Sequence, residues 1–443
     1  MSFRIFKLQY KSKIIQLCDK NASENSNIFT LITGKNGVGK TQLLTYIIKD
    51  YIDQLDNKIK ITTTDGLNSY IPKKLIVHTN SKFDRFPSSY RTPNQYKNLS
   101  SSNYYSVNNE IFTRLLNNKN LNKRAIYDTL VYLEYNPTIE YSAILKTSSA
   151  GKGYLSETFL KYKEDLIKIN FNPNIIPQKQ PKNNKNLLSV LNRINENNIK
   201  LDLNDIPTIY NLLKNKKIFD NPLKFTFDFL EEKINYGILD KNEYQLLYKY
   251  NLLYFKSIYF YKDGKSPLKL DFQSLSSGQQ AILNILVGIS SVISNNSLIC
   301  IDEPEISLHP EWQEEIIEKL QNAFKDISGC HFLIATHSPQ VVSGLKSENG
   351  YILDLENNIL HKSIDYSKKS ADYQLAKLFK TPGYNNEYII KLCLYLLSKI
   401  QDSSKFDSND ASIISELKGF QISLKKDDPV YYLVKEVLSL SQV

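Results

Sequence analysis

Four short runs in this sequence have the residue types and spacing to do chemistry on a phosphate. Gly34-Lys35-Asn36-Gly37-Val38-Gly39-Lys40-Thr41 fits the pattern G-x-x-x-x-G-K-[ST]. Glycines let the backbone wrap so that N–H groups from Asn36 to Thr41 point at phosphate oxygens, and a helix starting there adds its positive end. Lys40 is spaced to reach the β- and γ-phosphates of ATP, and Thr41 to set its hydroxyl on Mg²⁺. Leu298-Ile299-Cys300-Ile301-Asp302-Glu303 supplies the other half of such a site. Four apolar residues make a buried strand, so Asp302 emerges at its carboxyl end, where open α/β sheets bind ligands, and can hold the metal's hydration shell. Glu303, one residue on, can act as general base toward an attacking water.

The other two runs are weaker alone. Leu275-Ser276-Ser277-Gly278-Gln279 opens a helix. It reads either as an ordinary serine cap or as a second anion site built from Ser276, Ser277, Gly278 and Gln279. Thr336-His337-Ser338-Pro339 follows the strand Phe332 to Ala335 and puts the His337 imidazole at the same sheet edge as Asp302. His78, His331 and His361 read as structural.

These runs need a scaffold, and the hydrophobic pattern supplies one. Ile28 to Thr33, Lys74 to His78, Ser297 to Ile301, His331 to Ala335 and Tyr351 to Leu355 read as strands. Leu43 to Tyr51, Gln279 to Ile293 and Pro310 to Phe324 read as helices, the last opened by its proline. Apolar strands alternating with helices predict an α/β fold with a mainly parallel sheet covered on both faces. Residues 1–92 and 265–367 form the two halves of this head. Residues 93–264 read as a mainly helical insertion, with Glu110 to Tyr135 as one helical stretch. Residues 368–443 read as a small helical unit, with helices at Ser370 to Phe379, Asn386 to Lys399, Asp410 to Leu417 and Val430 to Leu440.

Composition bounds the setting. The 443 residues carry a formal charge of +10, so DNA or RNA contact is one expectation. The stretch Lys168 to Lys200 holds six basic residues against one acid, around a polar run from Pro177 to Asn186 that reads as a loop. That stretch is either a solvated loop or a phosphate-contacting patch. The four cysteines form no C-x-x-C pair, which argues against a zinc or redox site and fits a reducing cytosol. No signal-peptide pattern opens the sequence, and Ala281 to Ile293 is too short to span a bilayer. The expectation is therefore a cytoplasmic protein with no membrane partner. No sustained heptad pattern predicts long coiled-coil arms.

Taken together, the four runs resemble the Walker A, signature, Walker B and switch-histidine motifs of the ABC ATPase superfamily. Glu303-Pro304-Glu305-Ile306-Ser307-Leu308-His309-Pro310-Glu311-Trp312-Gln313 is similar to a run of the AAA15/AAA21-type branch, which includes RecF-like and overcoming-lysogenisation-defect ATPases. Phe83-Asp84-Arg85-Phe86-Pro87, with Thr381-Pro382-Gly383-Tyr384-Asn385-Asn386-Glu387-Tyr388, looks like the ATPases of Septu and retron phage-defence systems. The resemblance implies an ATPase that binds ATP and Mg²⁺ and dimerises head to tail. Ser276 to Gln279 would then cap the γ-phosphate held by the opposite copy. It also implies a sensor or scaffold of antiphage defence with an HNH-type nuclease partner; the alternative is a DNA repair ATPase. The family's glutamine after the strand at Leu75 is missing, and Asn80 is the nearest amide. Nuclease activity in the chain itself is not expected, because Asp402, Asp407 and Asp410 lie in a tail too short for a metal domain.

Overall fold

Uninterrupted apolar strands, rather than alternating ones, set the architecture. The computed structural model of the protein describes all residues except 1, 21–25, 56–70, 82–84, 89–91, 93, 101–113, 116–121, 147–189, 191–192, 195–198, 200–201, 215–217, 219–220, 263–267, 368, 402–406 and 442–443. The basic stretch around 177–186 and residues Phe83 and Asp84 lie outside the described residues. The chain divides into two compact units: Met1–Val107 with Asn120–Ala125 and Ser276–Val443, and Asn108–Lys119 with Ile126–Leu275.

The chain begins with strands β1 (Lys7–Tyr10), β2 (Lys13–Gln16) and β3 (Ile28–Thr33), helix α1 (Lys40–Leu55), and strands β4 (Leu75–Thr79) and β5 (Tyr96–Asn98). Next come α2 (Lys123–Tyr132), β6 (Thr138–Leu145), α3 (Ile206–Lys214), β7 (Leu223–Asp228), β8 (Lys233–Asn235), α4 (Lys241–Lys249), β9 (Leu253–Lys262) and β10 (Leu268–Asp271). The core motifs then occupy α5 (Ser277–Val292), β11 (Leu298–Asp302), α6 (Pro310–Ala323), β12 (His331–Ala335), α7 (Pro339–Ser343), β13 (Gly350–Asp354) and β14 (Ile359–Lys362). Four helices follow: α8 (Ala371–Lys377), α9 (Glu387–Gln401), α10 (Ser408–Ser423) and α11 (Pro429–Leu440).

In the first unit, seven strands lie in the order β14-β13-β3-β12-β11-β4-β5, parallel except for β14. β3, β4, β11 and β12 are buried at every position, as expected when helices cover both faces of a parallel sheet. Helix α5 explains its own burial, because every residue from Ala281 to Val292 is apolar or small except Asn284. Truncating Ile285, which is fully buried, to alanine would cost about 2–5 kcal/mol. The C-terminal helices close on a smaller core of Ile389, Cys393, Leu417, Phe420, Val434 and Val437. Within the run from Thr381 to Tyr388, Asn386 is a structural clasp: its amide donates to the Pro382 carbonyl at 2.6 Å and its carbonyl accepts from the Ile389 N–H at 3.1 Å.

The second unit departs from the sequence expectation. Its described residues include a five-stranded antiparallel sheet, β10-β9-β6-β7-β8, which the expectation of a mainly helical insertion does not contain. The signal was present as period-two alternation: Leu223, Phe225 and Phe227 of β7 are buried, while Lys224 is exposed. β9, with its run of aromatics, alternates in the same way. The boundaries move as well. β5 belongs to the head sheet through β4, so the first unit runs past residue 92, and the second unit extends beyond 264 to Leu275.

Candidate functional site

Parallel register brings the chemistry to one edge. Asp302, the last residue of β11, lies level with Thr79 of β4 and Ala335 of β12, and Ala335 lies level with Ile32 of β3. The four segments that follow these strands therefore emerge side by side: the glycine loop after β3, Asn80 after β4, Glu303 after β11, and Thr336-His337 after β12.

The glycine loop bends as its residues permit. Gly37 and Gly39 have φ of 83° and 103°, the left-handed region that side chains resist. The loop feeds straight into α1, whose first residue is Lys40. Lys40 is buried, and its ammonium donates to the carbonyls of Gly34 at 2.7 Å and Lys35 at 3.2 Å and to His337 Nδ1 at 2.9 Å. Burial pulls its pKa down to about 8, against the opposing pull of the Glu303, Glu305 and Asp302 charges.

Thr41 and Asp302 meet at this edge. The Thr41 hydroxyl lies 2.9 Å and 3.2 Å from the two Asp302 carboxylate oxygens. Burial, with Glu303 and Glu305 nearby, raises the Asp302 pKa to about 6 even though Thr41 donates to it. A hydroxyl and a carboxylate, both oxygen donors beside further acids, suit a small hard cation such as Mg²⁺.

Glu303 takes a left-handed backbone, φ 51°, with its N–H donating to the Ala335 carbonyl at 2.9 Å. A non-glycine residue held this way costs on the order of 1–3 kcal/mol, and such strain concentrates at functional sites. Its Oε1 lies 3.3 Å from His337 Nε2, and hydrogen bonding to His337 holds its carboxyl below the usual range. His337 thus sits between the ammonium and the carboxylate. Lys40 can only donate to Nδ1, so the proton belongs on Nε2, facing Glu303.

The sequence assigns Glu305 no role of its own, yet the structure brings it into the site. Its Oε1 accepts the His337 backbone N–H at 2.6 Å. Asn80 also arrives, its amide donating to the Pro304 carbonyl at 3.2 Å. His331, by contrast, is sealed in the sheet, accepting from the Ile5 N–H at 3.2 Å; burial pushes its pKa down to about 3, so it stays neutral.

Ser276 to Gln279 form a separate feature. Ser276 caps α5 in a reciprocal box: the Gln279 N–H donates to Ser276 Oγ at 3.3 Å and the Ser276 N–H to Gln279 Oε1 at 3.1 Å. Gly278 has a steric reason to be glycine, because a Cβ there would lie 3.0 Å from both the Ser307 carbonyl and the Trp312 ring. The geometry of Ser276 satisfies the plain cap, and the first-turn N–H groups are those an anion could use. Beside α1, a pocket of about 470 Å³ is lined by Tyr10, Gln42, Thr45, Tyr46, Lys49 and Arg85. No described helix is long and apolar enough to cross a membrane.

Comparison with known proteins adds three relatives. Retron Ec83 probable ATPase of Escherichia coli is 34% identical over 20% of this chain and 18% of its own length. Retron Vc95 probable ATPase of Vibrio cholerae is 29% identical over 35% of this chain and 32% of its own. Septu protein PtuA of Bacillus mycoides is 32% identical over 31% and 18%. Each match thus spans under a third of the relative's length. A family model matches residues 73–343, which take in Asp302, Glu303, Ser276 and His337 but not the glycine loop. That match covers more than half of the sequence, and the chain belongs to the family described as "AAA domain, putative AbiEii toxin, Type IV TA system".

Proposed function

We propose that this protein is an ATPase whose two nucleotide sites are each completed by a second copy, and that it serves as the sensor of an antiphage defence system. The observation that carries the ATPase reading is the convergence of Lys40, Thr41, Asp302, Glu303 and His337 on one sheet edge, at the mouth of a glycine loop. Lys40 would exchange its Gly34 and Lys35 carbonyls for β- and γ-phosphate oxygens, since a charge-assisted bond to phosphate is the stronger one. Thr41 and Asp302 would hold Mg²⁺, which screens the phosphate charge when bound. Glu303, kept ionised by His337, accepts the proton of the water that attacks the γ-phosphorus as the β–γ bridging bond breaks. ADP and inorganic phosphate leave. His337 Nε2–H then has a phosphate oxygen as an alternative to Glu303. Tyr10 and Tyr46, whose rings meet edge to face at 5.3 Å, offer an aromatic wall for the base.

In the dimer, the first turn of α5, from Ser276 to Gln279, caps the γ-phosphate of the opposite copy. The defence role is supported by the likeness to retron ATPases and Septu protein PtuA, while an HNH-type nuclease partner is what the resemblance of the sequence runs implies. The net charge of +10 leaves nucleic acid as the natural trigger.

Complementation tests the composite site. Lys40→Ala and Ser276→Arg proteins should each be inactive alone. Mixed one to one, half of the dimers pair the two variants, with both lesions in one site and none in the other, so turnover should return to about a quarter of the wild-type value. A mixture that forms heterodimers yet stays inert would overturn the shared-site reading. Purification from the native operon with no nuclease attached would overturn the partner. Turnover stimulated by duplex DNA without any phage-restriction phenotype would favour the repair ATPase instead.

A further inference from the structure

We infer that Glu305 is the positioning residue for the switch histidine: it holds the Thr336-His337 turn so that the imidazole stands between Lys40 and Glu303. This rests on the ATPase reading above for its catalytic meaning, though not for its geometry.

Three observations converge on it. The Glu305 Oε1 takes the His337 N–H at 2.6 Å, a short hydrogen bond. The hydrogen bond fixes the backbone of the same residue whose two ring nitrogens lie 2.9 Å from Lys40 Nζ and 3.3 Å from Glu303 Oε1. Finally, the other oxygen, Oε2, is buried with no hydrogen-bond partner among the described residues. A buried carboxylate oxygen without a partner is costly, and a cost retained beside a reaction centre calls for an explanation. Sequence composition does not demand an acid here: a glutamine would supply the same acceptor to His337 without a buried charge.

The local backbone explains why the task falls to this residue. Glu303 and Ser307 both adopt positive φ, 51° and 70°, and the Ile306 N–H donates to the Glu303 carbonyl at 3.2 Å. The chain therefore turns tightly after β11 and sends Glu305 back toward the end of β12, so that it meets the backbone of the residue whose ring meets Glu303. Gln313 braces the same turn from α6. Its amide donates to the Leu308 carbonyl at 3.0 Å while its oxygen accepts from Ser338 Oγ at 2.7 Å. The histidine turn is thus held at both ends, by Glu305 at His337 and by Gln313 at Ser338. Of the two, only Glu305 acts on the residue that carries the imidazole.

A positioning role differs from a general packing role in what it moves. Misplacing a reacting group by about 1 Å can cost on the order of 100-fold in rate while leaving substrate affinity intact. Glu305→Ala should therefore lower kcat by about 10–100-fold with the ATP dissociation constant unchanged within about threefold. The effect of His337→Ala should largely disappear when made on that background, because both changes remove one contribution. Glu305→Gln, which keeps the acceptor, should recover most of kcat. The readout independent of turnover is nuclear magnetic resonance of the ¹⁵N-histidine-labelled protein without nucleotide, His337 being assigned by its loss in His337→Asn. Wild type and Glu305→Gln should give His337 a single Nε2–H tautomer, and Glu305→Ala a mixture of both. Should Glu305→Ala leave that signal unchanged, or should its kinetic loss add fully to that of His337→Ala, the positioning role is overturned. A wild-type protein that never hydrolyses ATP would instead remove the ATPase reading, and the resonance comparison would still decide what Glu305 does.

Discussion

Asp302, Glu303 and Glu305 follow strand β11, whereas Asp407 and Asp410 open helix α10. In the helix, the Lys399 ammonium lies 3.1 Å from Asp407 and 2.8 Å from Asp410. The N–H groups of Asn409 and Asp410 donate to Asp407, and that of Asp407 donates back to Asp410, forming a capping box. Both acids are held below the usual carboxylate range, Asp407 by the Asp410 N–H first and Asp410 by Lys399 first. At the strand end, three acids face one buried ammonium, Asp302 is pushed up to about 6, and one Glu305 oxygen has no hydrogen-bond partner among the described residues. Carboxylates that stabilise a fold have their partners within the fold. Those at the sheet edge have hydrogen-bond partners but share one ammonium among three acids, and that shortage of positive charge is what a cation would relieve.

The comparison breaks most easily at Lys40. Among the described residues its ammonium is the cation on which all three strand-end acids act, and each charge-assisted bond it makes to phosphate is worth about 1.5–3 kcal/mol. Lys40→Ala should therefore weaken ATP binding by at least about 100-fold in isothermal titration, with the fold intact by circular dichroism. ATP binding within threefold of wild type would remove the site from the sheet edge altogether.

Glu303→Gln probes the next layer. It removes the base and keeps the shape, so turnover should fall by about 10²–10⁴-fold while ATP is retained. Light scattering with saturating ATP should then find a dimer, because bound nucleotide is no longer consumed. A Glu303→Gln protein that stays monomeric in ATP would separate nucleotide binding from dimerisation.

A smaller effect comes from pH. Burial brings the Lys40 ammonium down to about 8, and only its protonated form attracts phosphate. Below that value the charge is fully present, so ATP affinity should be flat near pH 7. It should weaken above pH 8, approaching about tenfold per pH unit, as the free protein loses the proton that binding requires. Lys40→Arg, whose guanidinium does not titrate, should bind with a flat profile over the same range. A flat wild-type profile to pH 9 would mean that Lys40 is better solvated than its burial implies.

The parts of the molecule legible in the sequence are those where one physical signal suffices. The strands Ile28–Thr33 and His331–Ala335 fall where their apolar runs predicted, because a strand buried on both faces has no alternation to blur. The glycine loop, Asp302 and His337 meet because parallel strands in register end together. The sheet of the second unit was missed because its strands are half-polar and broken by lysines and tyrosines. Polarity of that kind resembles helix or loop unless the period-two alternation is followed. Edge strands such as β5 and β14 are three or four residues long, too short for any pattern. Glu305 could have been suspected from its spacing to Glu303. Its partner, a backbone N–H more than thirty residues away, has no side-chain signature at all.

The smallest effect tests the other half of the comparison. Asp410→Asn removes one charge from a box that also holds Lys399, Asp407 and two backbone N–H groups. The asparagine can still accept a hydrogen bond, so the loss is confined to the charge. Thermal unfolding should drop by a few degrees at neutral pH. Because the folded carboxyl titrates below its unfolded value, the difference from wild type should shrink as pH falls through the carboxylate range, where the wild type also loses the charge. ATP affinity and turnover should not move, since Asp410 packs with α9 and α10 and not with the sheet edge. If Asp410→Asn instead lowered turnover with no thermal effect, these acids would not be a closed structural pair. Their charge would then act on the site, and partner satisfaction within the fold would cease to distinguish one group of carboxylates from the other.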